Sequence, residues 1–157
     1  MNLETAPSIN IFVQEADFDV QEVYQNLQNL RPSPGAIVTF TGLVRDFDHD
    51  QDILALELEH YPGMTEKSLH AIVDQAADRW SILGATVIHR VGRLNACDQI
   101  VLVAVSSSHR KDSFCACEFI MDYLKNEAPF WKKEIRPDGQ SWVEAKQSDA
   151  EAKKRWQ

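Results

Sequence analysis

The sequence predicts an α+β fold, a single domain over residues 1–157 with helices packed on a mainly antiparallel sheet. Three observations lead there. Segments that alternate apolar and polar residues, such as Ile53–Glu59, are interleaved with segments of helical periodicity, such as Thr65–Trp80. The predicted order, β-α-β-β-α-β-β-α-β, mixes hairpins with two longer helices. The run Ile100–Val105 (IVLVAV) is apolar at every position, which marks a central strand covered on both faces.

The elements follow in order. Ile9, Ile11 and Val13 alternate within a short strand over Ser8–Val13. Val20, Val23, Leu27 and Leu30 have helical spacing, with Asp19 as the N-cap. Arg31–Gly35 (RPSPG) is a loop, and Ala36–Thr41 a strand. That strand and Ile53–Glu59 are expected to form a hairpin whose tip is the acidic connection Asp46–Asp52. Pro62-Gly63 turns the chain, and Thr65 caps a helix with Leu69, Ile72, Val73, Ala76 and Trp80 on one face. Ala85–Arg90 and Gln99–Ser106 are strands. Asp112 or Ser113 caps the next helix, with Phe114, Cys117, Met121 and Leu124 inward. Pro129 ends that helix near Asn126–Ala128, because proline has no amide hydrogen and restricts the residue before it. Ser141–Ala145 is a last strand, and residues 147–157 are polar and helical or frayed.

Composition narrows the function classes. Of 157 residues, 44% are hydrophobic and 25% charged, the balance of a soluble globular protein. No apolar run approaches the roughly 20 residues of a membrane span. Met1–Thr5 lacks the basic start of a secretory signal, and three cysteines without framework spacing suit a reducing compartment. A cytoplasmic protein is expected. The net charge of −8 argues against a nucleic-acid binder. Residues 125–157 nevertheless hold eight Lys/Arg against six Asp/Glu, on a chain with 16 and 24 in all. A local basic site for a small anion fits that asymmetry.

The segment Asp122–Glu134 (DYLKNEAPFWKKE) is the most informative. It sets Lys125 and Lys132 on either side of Pro129 and the bulky Phe130-Trp131 pair. Two ammonium groups brought together beside apolar surface depress each other's pKa, which makes either a nucleophilic lysine or an anion pocket. The ordinary alternative is a lysine offsetting the helix dipole. Ser106–Lys111 (SSSHRK) leaves the central strand and opens a helix, a place where free amides, His109 and Arg110 can cradle an anion. Arg45 also follows a strand, and these residues are candidates to converge on one phosphate. Asp46, Asp48, Asp50 and Glu57 have calcium-loop spacing, but Gln51 stands where such a loop needs glycine. None of the five histidines has a zinc-motif spacing, and Cys97, Cys115 and Cys117 read as small apolar fillers. On the residues alone, the chain is a small acidic domain that binds an anionic metabolite or a partner's tail.

With those segments assembled, the chain resembles the molybdopterin synthase catalytic (large) subunit family. The resemblance rests on Gly35–Arg45 (GAIVTFTGLVR), Leu58–Glu66 (LEHYPGMTE), His89–Gly92 (HRVG), Ser108–Arg110 (SHR), Phe119–Lys125 (FIMDYLK), Ala128–Glu134 (APFWKKE) and Trp142–Ala145 (WVEA), all in order. It implies an α/β hammerhead-type fold and a homodimer. It implies a small ubiquitin-like sulfur-carrier subunit whose C-terminal Gly-Gly thiocarboxylate enters a pocket of this subunit. The implied substrate is cyclic pyranopterin monophosphate, converted in two sulfur additions to the dithiolene of molybdopterin. By the same resemblance Lys125 and Lys132 are the catalytic pair, and Arg45, His109 and Arg110 bind the substrate anion. No metal or organic cofactor is implied, because the sulfur comes from the partner. The chain departs from the family pattern at Glu127, where a basic residue is usual, and at Leu43. Glu127 either faces the pocket, where it weakens anion binding or pairs with Lys132 or Lys133, or points to solvent.

Overall fold

The computed structural model describes residues 6–47, 50, 52–143 and 147–157. Its strands are β1 (Ser8–Gln14), β2 (Ala36–Leu43), β3 (Ala55–His60), β4 (Ile82–Arg90), β5 (Gly92–Leu94), β6 (Gln99–Ser107), β7 (Phe130–Arg136) and β8 (Gly139–Val143). Its helices are α1 (Val20–Gln28), α2 (Met64–Arg79), α3 (Arg110–Glu127) and α4 (Gln147–Lys154). The α+β class is as predicted. The strands form two four-stranded sheets, in the orders β1-β4-β6-β2 and β5-β3-β7-β8. All pairings are antiparallel except β1 with β4. Among the described residues, no helix is long and apolar enough to cross a membrane.

In the first sheet the period of two separates the faces. Ile88 on β4 and Leu102 and Ala104 on β6 face α1, where they pack with Val23 and Leu27. Ala85, Val87, Val101, Val103 and Val105 face the other way, into the larger core with Leu69, Ile72 and Val73 of α2 and Ala116 and Ile120 of α3. The all-apolar β6 is central, as predicted, because both of its faces are covered. Asp19 caps α1 as expected, its carboxylate accepting from the Gln21 amide at 2.9 Å.

Several expectations fail for identifiable reasons. β2 and β3 are not a hairpin: β2 pairs with β6, and β3 pairs with β5 and β7. Alternation specifies a strand but not its neighbour. Asp48, His49 and Gln51 of the connection lie outside the described residues, and Asp50 is bound to Arg136 at 2.7 Å. Thr65 does not cap α2. Gly63, with φ of +84°, occupies that position, and its amide donates to Glu66. His109 rather than Asp112 or Ser113 is the N-cap of α3, and Phe114 is exposed at 60% while Phe119 and Ile120 take the interior. β5 and β7 were not foreseen as strands. The last strand is described over Gly139–Val143, and residues 144 and 145 of the expected one lie outside the described residues. The small-filler reading holds for buried Cys117, whose thiol is pushed up to about 12 by burial, but not for exposed Cys97.

Candidate active site

α3 runs antiparallel to β6 along the first sheet. Near its start, Ser113 Oγ lies 2.5 Å from Ser107 Oγ at the end of β6. In its middle, Cys117 Sγ reaches the Val103 carbonyl at 3.6 Å. Its last turn, carrying Lys125, therefore reaches the end where β6 begins and β4 finishes. His89 is at that end, opposite Val101, and shares a face with Val87 and Ala85, towards α3.

After Lys125 the helix ends at Glu127, as Pro129 requires, and the chain enters β7 at Phe130. Phe130 pairs with His60 and Lys132 with Leu58. Paired residues on neighbouring strands point to the same face. Phe130 and Lys132 thus share the face of buried Leu58, while Trp131 and Lys133 point outward. The Phe130 ring lies flat on the His89 imidazole, with centroids 3.8 Å apart and planes 20° apart. The turn itself is pinned from α2: Thr65 Oγ1 donates to the Pro129 carbonyl at 3.1 Å and accepts from the Tyr61 amide at 3.0 Å.

His89 is the electrostatic meeting point. It is 5% exposed, and its pKa falls to about 3. Burial is the chief cause, followed by repulsion from Lys125, Lys132 and His60, against the opposing effect of the Arg90 carbonyl. The two predicted lysines, one from a helix end and one from a strand, are thus brought to bear on one buried neutral ring. Lys125 is exposed and has no hydrogen bond or ion pair among the described residues; Lys132 is half-buried.

Neighbouring charges are neutralised. Lys133 binds Glu59 at 2.8 Å and stacks over Trp142 at 4.4 Å, on the outer face of its sheet. Glu127 binds Lys153 of α4 at 2.7 Å, an ion pair that none of the expected alternatives named. Arg136 is held by Asp50 and Glu134, which raise its pKa. Leu43 is exposed.

The three predicted anion-binding residues do not converge within one chain. Arg45 lies at the Lys125 end, since the neighbouring Val44 accepts from the Cys97 amide and donates to the Asp98 carbonyl just before β6. His109 and Arg110 lie beyond the far end of β6. Nine residues of antiparallel strand put those ends about 27 Å apart. Each of the three is exposed and has no side-chain partner among the described residues.

Sequence reading missed His89 and Thr65 as residues of this site. The signal for His89 was available: a histidine at the end of an apolar strand, inside a segment that carried the resemblance. Thr65 looked like an N-cap because it stands at the start of a helix, and its contact with Pro129 spans 64 positions.

Comparison with known proteins agrees with this architecture. Residues 13–127 match the family described as MoaE protein. The chain is 56% identical over 146 residues, 93% of its length and 83% of the relative's, to the molybdopterin synthase catalytic subunit of Ralstonia nicotianae. It is 53% identical over 146 residues, 93% and 97% of the two lengths, to that of Escherichia coli. Among solved structures it is similar to the molybdopterin biosynthesis MoaE protein of Burkholderia ambifaria, with a TM-score of 0.82, 50% identity and coverage of 94% and 97%. It is also similar to molybdopterin synthase of Staphylococcus aureus, with a TM-score of 0.75, 35% identity and coverage of 86% and 96%. With more than half of its length matched, and with relatives this close, the chain belongs to the MoaE family of molybdopterin synthase catalytic subunits.

Proposed function

We propose that this chain transfers sulfur from the C-terminal thiocarboxylate of a small ubiquitin-like carrier subunit to cyclic pyranopterin monophosphate, forming the dithiolene of molybdopterin. The observation that carries this reading is the placement of Lys125 and Lys132 about buried His89. Both reactants are anions, and fixed cations beside apolar surface stabilise negative charge better than cations in water do. Lys125, unpaired among the described residues, is the cation free to bind and polarise the carrier's thiocarboxylate. Lys132, two positions beyond the stacked Phe130, holds the second charge. A Gly-Gly tail suits the approach to such a site, because glycine permits close backbone contact. Arg45 supports the substrate anion from the same end of the sheet.

His109 and Arg110 belong to this reading only if a second copy supplies them. A homodimer that sets the α3 start of one protomer against the Lys125 end of its partner brings all five residues to one anion. The roughly 27 Å between the two ends in a single chain favours that arrangement over a site built from one copy.

The experiment is direct. The chain is mixed with a thiocarboxylated carrier and the cyclic pterin precursor, and dithiolene product is assayed. Product formation dependent on the thiocarboxylate supports the reading. Binding of the carrier without product would instead identify a docking module.

A further inference from the structure

His89 contributes no charge to the site, yet it is its most buried ionisable group. Its Nδ1 lies 2.8 Å from the Arg90 carbonyl oxygen. A carbonyl can only accept, so Nδ1 carries the proton and Nε2 is bare. Nε2 has no hydrogen-bond partner among the described residues. The flat face of the ring supports Phe130, which lies five positions after Lys125 and two before Lys132. Among the described residues, the charged or titratable groups whose charge acts on the ring come from three elements: His60 from β3, Lys125 from α3 and Lys132 from β7. A third cation among them would repel both lysines. A ring that stays uncharged at neutral pH instead lets them approach.

We propose that His89 is a positioning residue of this site: tethered to the Arg90 carbonyl and stacked on Phe130, it fixes the start of β7 and so the spacing of Lys132 from Lys125. It touches neither reactant and acts through the lysines, and its kinetic consequence rests on the function proposed above. A buried imidazole that served only to fill the core would affect stability alone. A positioning imidazole also affects turnover in molecules that remain folded.

Two variants separate its parts. His89→Phe keeps a flat uncharged ring on Phe130 and removes the Nδ1 donor. His89→Asn places an amide donor near the Nδ1 position and removes the stack. Both are tested for cooperative unfolding first. In the assembled complex with thiocarboxylated carrier, each folded variant should lose about tenfold or more in kcat, the scale on which small misplacement acts. KM for the precursor should change less than about threefold, because the cations remain. Wild-type kcat in either folded variant overturns the proposal.

A second measurement uses the free chain and does not depend on turnover. Nitrogen-15 spectra should show His89 protonated at Nδ1 only, from pH 8 to pH 5, and the lysine side-chain methylene resonances of Lys125 and Lys132 should move in His89→Phe. A doubly protonated ring at pH 6, or lysine resonances that stay put, also overturns it. If wild type makes no dithiolene while the spectra behave as expected, the proposed function fails and the positioning geometry stands.

Discussion

Three lysines lie within nine positions around Pro129, and their surroundings differ. Lys133 is spent on Glu59 and Trp142, whereas Lys125 has no partner among the described residues and Lys132 shares its face with Phe130. Sequence could nominate Lys125 and Lys132 because proline punctuation is local. It could not find His89, whose importance depends on a ring 41 positions away. The buried histidine has a measurable thermodynamic consequence. Its native pKa is about 3 against an ordinary 6.5, so between those values the unfolded chain binds a proton that the folded chain refuses. Stability therefore falls as pH drops below about 6.5, with a slope approaching about 1.4 kcal/mol per pH unit. Denaturant unfolding between pH 7 and pH 4.5 should show wild type losing about 2–3 kcal/mol more than His89→Phe. Equal losses would mean that His89 is not buried neutral. Thr65 gives a second residue-scale prediction. Thr65→Val preserves shape but leaves the Tyr61 amide and Pro129 carbonyl without their partner, at a cost of about 1–3 kcal/mol. The same variant should lower turnover, because Pro129 lies between the two lysines. Unchanged stability and rate would remove Thr65 from the account.

At the scale of elements, the helices α1 and α2 and the central strand β6 were legible because each carries its own period. β5 and β7 were not. β5 has three residues, too few for a pattern, and β7 (FWKKEIR) has charged residues on both faces. Its partners β3 and β8 supply the order that its sequence does not advertise. The contribution of α4 was equally hidden, since residues 147–157 are polar. The helix is a strap on the end of α3. Asn126 donates to the Asp149 carbonyl at 2.7 Å, Glu127 binds Lys153, and Arg155 binds Glu118 and Asp122. Trp156 follows, donating its indole N–H to Asp122 at 2.6 Å and packing edge-on against Trp80 and Phe119. The exposed ion pairs contribute little, and the half-buried indole carries most of the attachment. Trp156→Ala should cost about 2 kcal/mol, a fall of roughly 4–8 °C in Tm, with loosening centred on the last turn of α3. Calorimetry and amide exchange at Tyr123–Glu127 check it. A variant with unchanged Tm and exchange would show that α4 does not hold α3.

On the scale of the whole molecule, the sequence nominates residues for a site but not the place where they would meet. The expectation that Arg45, His109 and Arg110 converge came from their common position after strands. Strand exits lie at both ends of an antiparallel sheet, and β2 and β6 run in opposite directions. The proposed shared site draws on two copies, which yields a mixing experiment. Lys125→Ala and Arg110→Ala chains should each be nearly inactive alone. Re-assorted dimers should regain up to about a quarter of wild-type activity, because half the dimers are mixed and each has one intact site. No recovery from verified mixed dimers would place each site within one protomer. The central claim is that Lys125 acts in sulfur transfer, and one measurement tests it most directly: dithiolene formation from thiocarboxylated carrier and cyclic precursor by folded Lys125→Ala. Exposed Lys125 contributes at most about 1 kcal/mol to stability, so the variant should fold normally. The account predicts a rate lowered by at least about a hundredfold, the scale on which loss of a group acting in the transition state appears. Turnover near that of wild type would contradict it.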